Sequence, residues 1–256
     1  MKINKILSLG VVGAALVAGS ASAEVRDIRI GVDVPYEPME YRTPEGELTG
    51  FDIDLGNALC AEIGIDCEWV VQGWDGIIPG LQARKYDAIM SSMTINEQRR
   101  EQVLFSDPYI TPPSAWFAPT DVEIGTPSEE TLEGLTLGVQ RGTLQDNYVT
   151  DMYGDVADVN RYATADDMVL DMDSGRLDAA FLDFPIGKST LLESEAGDYK
   201  VVGEKITEPK EYFGEGFGIA FRQRDQELAE AFNEALATLQ ENGTYDEIHA
   251  RYFGEE

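Results

Sequence analysis

Gly175-Arg-Leu-Asp-Ala-Ala-Phe-Leu-Asp183 repeats, in the second half of the chain, the form of Ala83-Arg-Lys-Tyr-Asp-Ala-Ile-Met-Ser-Ser92 in the first. In each copy a helix runs through a basic residue and Asp-Ala into a short apolar run that stops on polar side chains. Such a run, bounded in this way, reads as a buried strand. Upstream of the first copy, residues 27–33 alternate Ile28, Ile30 and Val32 and read as a strand, and residues 52–63 as a helix. Residues 67–71 form a second strand, 74–83 a helix through Ile77, Ile78 and Leu81, and 87–91 a third strand. Around the second copy, residues 135–139 read as a strand and residues 145–153 and 166–174 as helices. Alternating strands and helices indicate an α/β class with a largely parallel sheet. The echo suits two lobes of similar topology. The chain is expected to cross between lobes at Asp107-Pro-Tyr-Ile-Thr-Pro-Pro113 and at Glu208–Gly218, and an amphipathic helical pattern broken at Gly243 closes it over 225–252.

Charge removes several function classes. The 256 residues carry 48 acids against 19 bases, a formal net charge of −29. Such a polyanion has no means of neutralising phosphates, so nucleic acid is not an expected partner. One histidine, His249, excludes most histidine-based catalysis and most zinc sites. Seven lysines beside 48 acids resemble adaptation to saline water. Long-range attraction of cations is a secondary effect, because physiological salt screens charges beyond about 8 Å.

Residues 1–23 read as a signal peptide. Lys2 and Lys5 form the positive start, Ile6 to Ala18 an uncharged apolar run, and Ala21-Ser22-Ala23 a small-x-small cleavage pattern. Export through it places the protein in the periplasm. An oxidising compartment makes a disulfide the default for Cys60 and Cys67, the only cysteine pair; two buried thiols are the competing reading.

Small ligands of α/β sheets bind beyond the carboxyl ends of strands. Ser91, Ser92 and Thr94 end one strand, and Thr94-Ile-Asn-Glu97 has the form of a capping box that begins a helix, with Arg99 one turn in. Hydroxyls, a helix N-terminus and a guanidinium fork together describe a carboxylate receptor. The same residues also fit an ordinary capped helix with a solvated Arg99. Asp33 and Asp183 end strands and offer acceptors for an ammonium group, or merely form turns. Tyr36 and Trp74 follow strand ends and suit stacking on a ligand as well as core packing. Gly142-Thr143 starts a further helix and adds a possible anion donor.

Other patterns fail. Gly187-Lys-Ser-Thr190 lacks the glycine a phosphate loop needs upstream, and Gly214-x-Gly-x-Gly218 is followed by no dinucleotide-binding helix. Asn242-Gly-Thr244 is a glycosylation sequon without consequence in a bacterial host, and His249 reads as a partly exposed surface residue.

Phe51-Asp-Ile-Asp-Leu-Gly-Asn-Ala-Leu-Cys60, the Cys60/Cys67 spacing, Trp74-Asp-Gly-Ile-Ile-Pro-Gly-Leu81, Ala88-Ile-Met-Ser-Ser-Met-Thr94, Arg99, Phe105-Ser-Asp-Pro-Tyr109, Leu177-Asp-Ala-Ala180 and Gly243-Thr-Tyr-Asp246 follow one another in order. This series resembles the family 3 periplasmic amino-acid-binding proteins of ABC importers, most of all the lysine/arginine/ornithine- and histidine-binding members. The resemblance covers essentially the whole mature chain. It implies a type II periplasmic-binding-protein fold: two α/β lobes, two crossover segments and a ligand cleft between them. The lobes would be 24–111 plus 212–256, and 112–211. It implies an exported monomer that binds one amino acid without chemistry or cofactor and delivers it to an inner-membrane ABC permease.

By the same resemblance, Arg99 with Ser92 and Thr94 holds the ligand α-carboxylate, and Asp183 accepts from the α-ammonium. Tyr36 and Trp74 sandwich the side chain, and Asp33 and Ser91 face its far end. Leu144 departs from a threonine that helps hold the carboxylate, leaving more to Thr143 or backbone. Gln140 replaces an apolar contact to the side chain. Asp33 and the aromatic pair favour arginine, lysine, ornithine or histidine. Glutamine or another polar amino acid, an opine, a cyclohexadienyl dehydratase-like enzyme and a sensory binding module are the alternatives.

Overall fold

The computed structural model describes residues 27–194 and 198–254; the signal-peptide reading of residues 1–23 lies outside them. The strands are β1 (Ile28–Val32), β2 (Tyr41–Arg42), β3 (Leu48–Thr49), β4 (Cys67–Val71), β5 (Ala88–Ile89) and β6 (Leu104–Phe105), then β7 (Ser114–Pro119), β8 (Thr136–Gln140), β9 (Asp158–Tyr162), β10 (Ala179–Asp183), β11 (Tyr199–Ile206) and β12 (Ala220–Phe221). The helices are α1 (Phe51–Ile63), α2 (Ile77–Gln82), α3 (Glu97–Arg100), α4 (Glu129–Leu132) and α5 (Leu144–Tyr153), then α6 (Ala165–Asp173), α7 (Phe184–Gly187), α8 (Lys210–Phe213), α9 (Gln226–Glu241) and α10 (Thr244–Phe253).

Two five-stranded sheets organise these elements, in the orders β4-β1-β5-β12-β6 and β11-β7-β10-β8-β9. Each is parallel on one side, where helices cross between strands, and antiparallel where the chain enters or returns: β1 runs parallel to β4 and β5, and β10 parallel to β8, while β12 and β7 run antiparallel to their neighbours. The echoed segments therefore supply equivalent inner strands, β5 and β10. The structure corrects the reading of 87–91 as a five-residue strand: only Ala88–Ile89 pair, and the chain leaves the sheet before Ser91. Its direction changes at Ser92, which has a left-handed φ of 50°.

Period-two alternation builds both faces of each lobe. In β10, Phe181 packs with Trp116, Tyr148 and Val149 on one face, while Ala180 and Leu182 pack with Met168 and Met172 on the other. In the first sheet, Ile28 and Ile30 meet the inward stripe of α1 and α9 (Leu55, Leu59, Phe232, Leu236), and Ile89 meets Ile77 and Leu81 on the opposite face. Helix α1 stops at Gly64, whose φ of 81° only glycine adopts freely. The Cys60–Cys67 disulfide then ties its last turn to the start of β4, with a Cα–Cα distance of 6.1 Å.

Gly31 in β1 is required by close approach. A Cβ there would lie 2.6 Å from the ring of Tyr86, which is itself fully buried. Gly31→Ala is expected to cost about 1–3 kcal/mol through overpacking, seen as a lower urea midpoint without a change in m-value.

The chain passes between the sheets twice, from β6 to β7 and from β11 to β12. The two passing segments pair with each other: Tyr109 N–H donates to Phe217 O at 2.9 Å and Phe217 N–H to Ile110 O at 2.7 Å. Strand ends of both sheets face one another across the space beside this pair. Among the described residues no helix is long and apolar enough to cross a membrane, and no cluster of His, Cys, Asp or Glu is arranged to hold a metal ion.

Candidate functional site

A cavity lies between the facing strand ends. Asp33, Tyr36, Trp74, Ser91, Ser92, Thr94, Arg99, Gln140, Thr143 and Asp183 all line it, together with Glu40, Leu144 and Gln145. Residues from both sheets thus meet in one place.

Arg99 is 7 % exposed, and burial lowers its guanidinium pKa to about 10, so it remains a cation at neutral pH. It donates from Nη1 to Thr94 O at 2.9 Å and stands 5.2 Å from the centre of the Trp74 ring. Among the described residues it forms no ion pair. A buried cation held this way can receive an anion, which would supply the counter-charge it lacks within hydrogen-bond distance.

The helix it belongs to differs from the sequence expectation. Thr94 is not an N-cap; Asn96 is, accepting the Arg99 N–H on its side chain at 2.9 Å. Helix α3 has four residues, and Thr94 precedes it in extended backbone bridged to Phe217. Asn96 directly precedes the first helical residue and takes the cap, and the Thr94 hydroxyl has no acceptor among the described residues.

Two other hydroxyls expected to hold a carboxylate have their protons engaged. Ser92 Oγ donates to Glu40 Oε2 at 3.2 Å, and Thr143 Oγ1 donates to Gln140 O at 2.7 Å while capping α5 at Asp146 N–H. On the second sheet's side this leaves backbone amides at the start of α5, a helix of ten residues whose N-terminus carries positive partial charge, as the donors that could face an anion.

Asp183, at the end of β10, accepts from Tyr36 Oη at 2.7 Å, from Gln145 Nε2 at 2.8 Å and weakly from Ser114 Oγ at 3.4 Å. Burial pushes its carboxyl up to about 6, against the pull of these donors and of Arg99. Asp33 follows β1; its carboxylate accepts from Gln140 Nε2 at 3.3 Å, and burial pushes it up to about 7. The donors from Tyr36 and Gln140 cross from one sheet's residues to the other's, as does Trp74 Nε1–H to Gly142 O at 3.2 Å. On the rim, exposed Arg141 and Asp75 pair at 3.1 Å; their exposure limits the pair to under about 1 kcal/mol.

Glu40, Asp52 and Gln145 went unread in the sequence. Glu40 sits in a polar loop, where no periodicity says which acid turns inward; the Tyr36–Glu40 turn, with Tyr36 N–H to Glu40 O at 2.7 Å, folds it under Ser91. Asp52 is in sequence one of two acids in the first turn of α1. It is fully buried and accepts from Ser92 N–H at 2.7 Å and Tyr109 Oη at 2.8 Å. The first of these bonds offsets the strain of Ser92's left-handed backbone. His249 is half-buried against the rings of Phe51, Tyr245 and Phe253 and takes no part in the cavity.

Residues 28–255 match the family described as bacterial extracellular solute-binding proteins, family 3. The chain belongs to that family. This family 3 solute-binding protein is 38% identical over 253 residues to the L-arginine-binding protein of Pseudomonas aeruginosa, covering 98% of this chain and 97% of that one. It is also 38% identical to the lysine/arginine/ornithine-binding periplasmic protein of Escherichia coli K12, covering 98% and 96%. An ancestral arginine-binding protein, solved bound to glutamine and bound to arginine, superposes with a TM-score of 0.82 at 34% identity in both states, over 89–90% of this chain and 98% of that one. The fold is accordingly the two-lobed type II arrangement of periplasmic amino-acid-binding proteins.

Proposed function

We propose that the protein is the periplasmic receptor of an ABC importer, capturing an L-amino acid with a basic side chain by closure of its lobes and handing it to an inner-membrane permease. The observation that carries this is the buried Arg99, without an ion-pair partner among the described residues, facing one end of a cavity whose acidic groups are the carboxyls of Asp33, Asp183 and Glu40. A zwitterion with one further positive charge complements that layout. Arg99, Thr94 and the first amides of α5 take the α-carboxylate, Asp183 the α-ammonium, and Asp33 with Ser91 the far end. Tyr36 and Trp74 flank the chain between, alongside Gln140, while Ser92 and Thr143 complete the wall.

The names of the relatives support a binding role over catalysis, export to the periplasm, and arginine or lysine as cargo. Residues 1–23 act as the signal peptide in this reading. The lobes are 24–111 with 212–256, and 112–211, and the molecule works as a monomer. A second reading, glutamine as ligand, has a specific basis: a structural neighbour was solved with it, and Asp33 is half-protonated near neutral pH.

Thermal unfolding of refolded, ligand-stripped protein against the common amino acids and opines tests the proposal. A true ligand at a hundredfold excess over its Kd should add about 2.7 kcal/mol. A shift with arginine, lysine, ornithine or histidine supports the basic reading, and a shift with glutamine alone reassigns the side-chain pocket. No shift with any of them contradicts the receptor assignment.

A further inference from the structure

Glu40 is 1 % exposed and stands at the cavity wall with both carboxyl oxygens engaged by serines: Ser91 Oγ donates to Oε1 at 2.8 Å and Ser92 Oγ to Oε2 at 3.2 Å. A hydroxyl has one proton. With that proton directed at Glu40, each serine can turn only lone pairs toward the cavity, and Ser91 has one of these already occupied by Asp33 N–H at 2.9 Å. Gln140 behaves alike. Its two amide hydrogens go to Asp33 Oδ2 and Ala163 O, both at 3.3 Å, so its carbonyl is the free group.

Behind Glu40, Asp52 places Oδ1 in a fully buried position with no donor among the described residues, while its Oδ2 already accepts two bonds. Burial holds both carboxyls of this Glu40–Asp52 pair above the ordinary range, and repulsion from Asp52 raises Glu40 further. A proton kept on Glu40 and aimed at the orphan Oδ1 satisfies Asp52. It leaves lone pairs on both Glu40 oxygens for the serines.

We propose that Glu40, held by Asp52, is a specificity-determining positioning residue that fixes the Ser91 hydroxyl as an acceptor and withholds the Ser92 proton from the cavity, so that the far end, at Asp33 and Ser91, accepts only hydrogen-bond donors. This rests on the receptor function proposed above and narrows its substrate class. Ammonium and guanidinium termini carry donors alone and fit. A terminal amide or urea also brings a carbonyl oxygen, which would meet lone pairs. The acceptor end contrasts with the Arg99/Thr94 end, where donors are free, so the cavity is polarised along its length.

Arginine and citrulline, which differ by a guanidinium against a urea, test the inference by calorimetric titration of wild-type protein and the Glu40→Gln variant. In Glu40→Gln the amide hydrogens take over the bond to Asp52, one oxygen remains for two serines, and one serine proton is released toward the cavity. Wild type is expected to prefer arginine strongly. In the variant, arginine should weaken about tenfold and citrulline strengthen about tenfold, the scale of one buried polar mismatch. A purely structural role would weaken both ligands alike, and that result, or an unchanged ratio, overturns the proposal. Ser91→Ala serves if Glu40→Gln does not fold: arginine should lose about tenfold and citrulline nothing, and equal losses overturn it. Wild type binding both ligands equally overturns the inference while leaving the receptor function standing; wild type binding neither, nor any other amino acid, removes both.

Discussion

Arg99→Met is expected to weaken binding of every amino acid by roughly 30- to several thousand-fold while leaving the ligand-free protein as stable as the wild type or more so. The two halves of this result have one cause. Arg99 is buried, cationic and without an ion-pair partner among the described residues. Desolvating a charge that has no ion-pair partner costs several kcal/mol, only partly offset by the longer-range pull of Asp183, and a well-packed apolar replacement removes that cost. In the complex the ligand carboxylate supplies the counter-charge. Truncating one partner of such a desolvated pair costs about 2–5 kcal/mol, or roughly 30- to several thousand-fold in Kd. The loss should be independent of the ligand side chain, because Arg99 addresses the α-carboxylate common to all. Calorimetric titration with arginine and urea unfolding without ligand measure the two halves. Retained affinity, or a ligand-free protein destabilised by several kcal/mol, would contradict the assignment.

The second large effect concerns Asp33 and pH. Burial raises its carboxyl from the ordinary 3.8 to about 7. Between those values the folded carboxyl keeps a proton that the unfolded one has released, so its contribution to ligand-free stability falls as pH rises through this window. A cationic side chain reverses the balance. It favours the ionised form, lowers the Asp33 pKa and releases a proton on binding. Arginine affinity is therefore expected to rise by about a hundredfold from pH 5 to pH 8, following the ionised fraction of a group titrating near 7. Asp183, raised to about 6, adds to the rise at the acid end. Asp33→Asn should flatten the portion near pH 7 and weaken arginine about 10- to 100-fold at pH 8, the value of a charge-assisted hydrogen bond. Glutamine, which needs no ionised partner at its far end, should lose much less. Titrations in two buffers of different ionisation enthalpy give the proton count directly. A pH-independent arginine affinity would show that the side chain lies elsewhere.

How much of this was legible in the sequence depended on the kind of signal. The α/β class, the helix Phe51–Ile63, the strand Cys67–Val71 and the break at Gly243 follow from apolar spacing and glycine stops, local physics that tertiary context did not override. The ten proposed site residues line one cavity because strand ends of both sheets converge there, and strand ends are visible in sequence. Hydrogen-bond direction is not visible. Nothing in Ser91-Ser92-Met-Thr94 says that two of its hydroxyls face an acid in a distant loop and the third is free. The capping-box pattern at Thr94 competed with Asn96 two residues later, and the closer cap prevailed. Glu40 and Asp52 were hidden among 48 acids, few of which are buried among the described residues.

A crystal structure of the wild-type protein grown with arginine tests the central claim most directly. One arginine is expected between the lobes, its carboxylate on the Arg99 guanidinium and the Thr94 hydroxyl, its α-ammonium on Asp183 and its guanidinium against Asp33 and Ser91. An arginine lying in the reverse direction, with its carboxylate away from Arg99, or bound outside this cavity would contradict it.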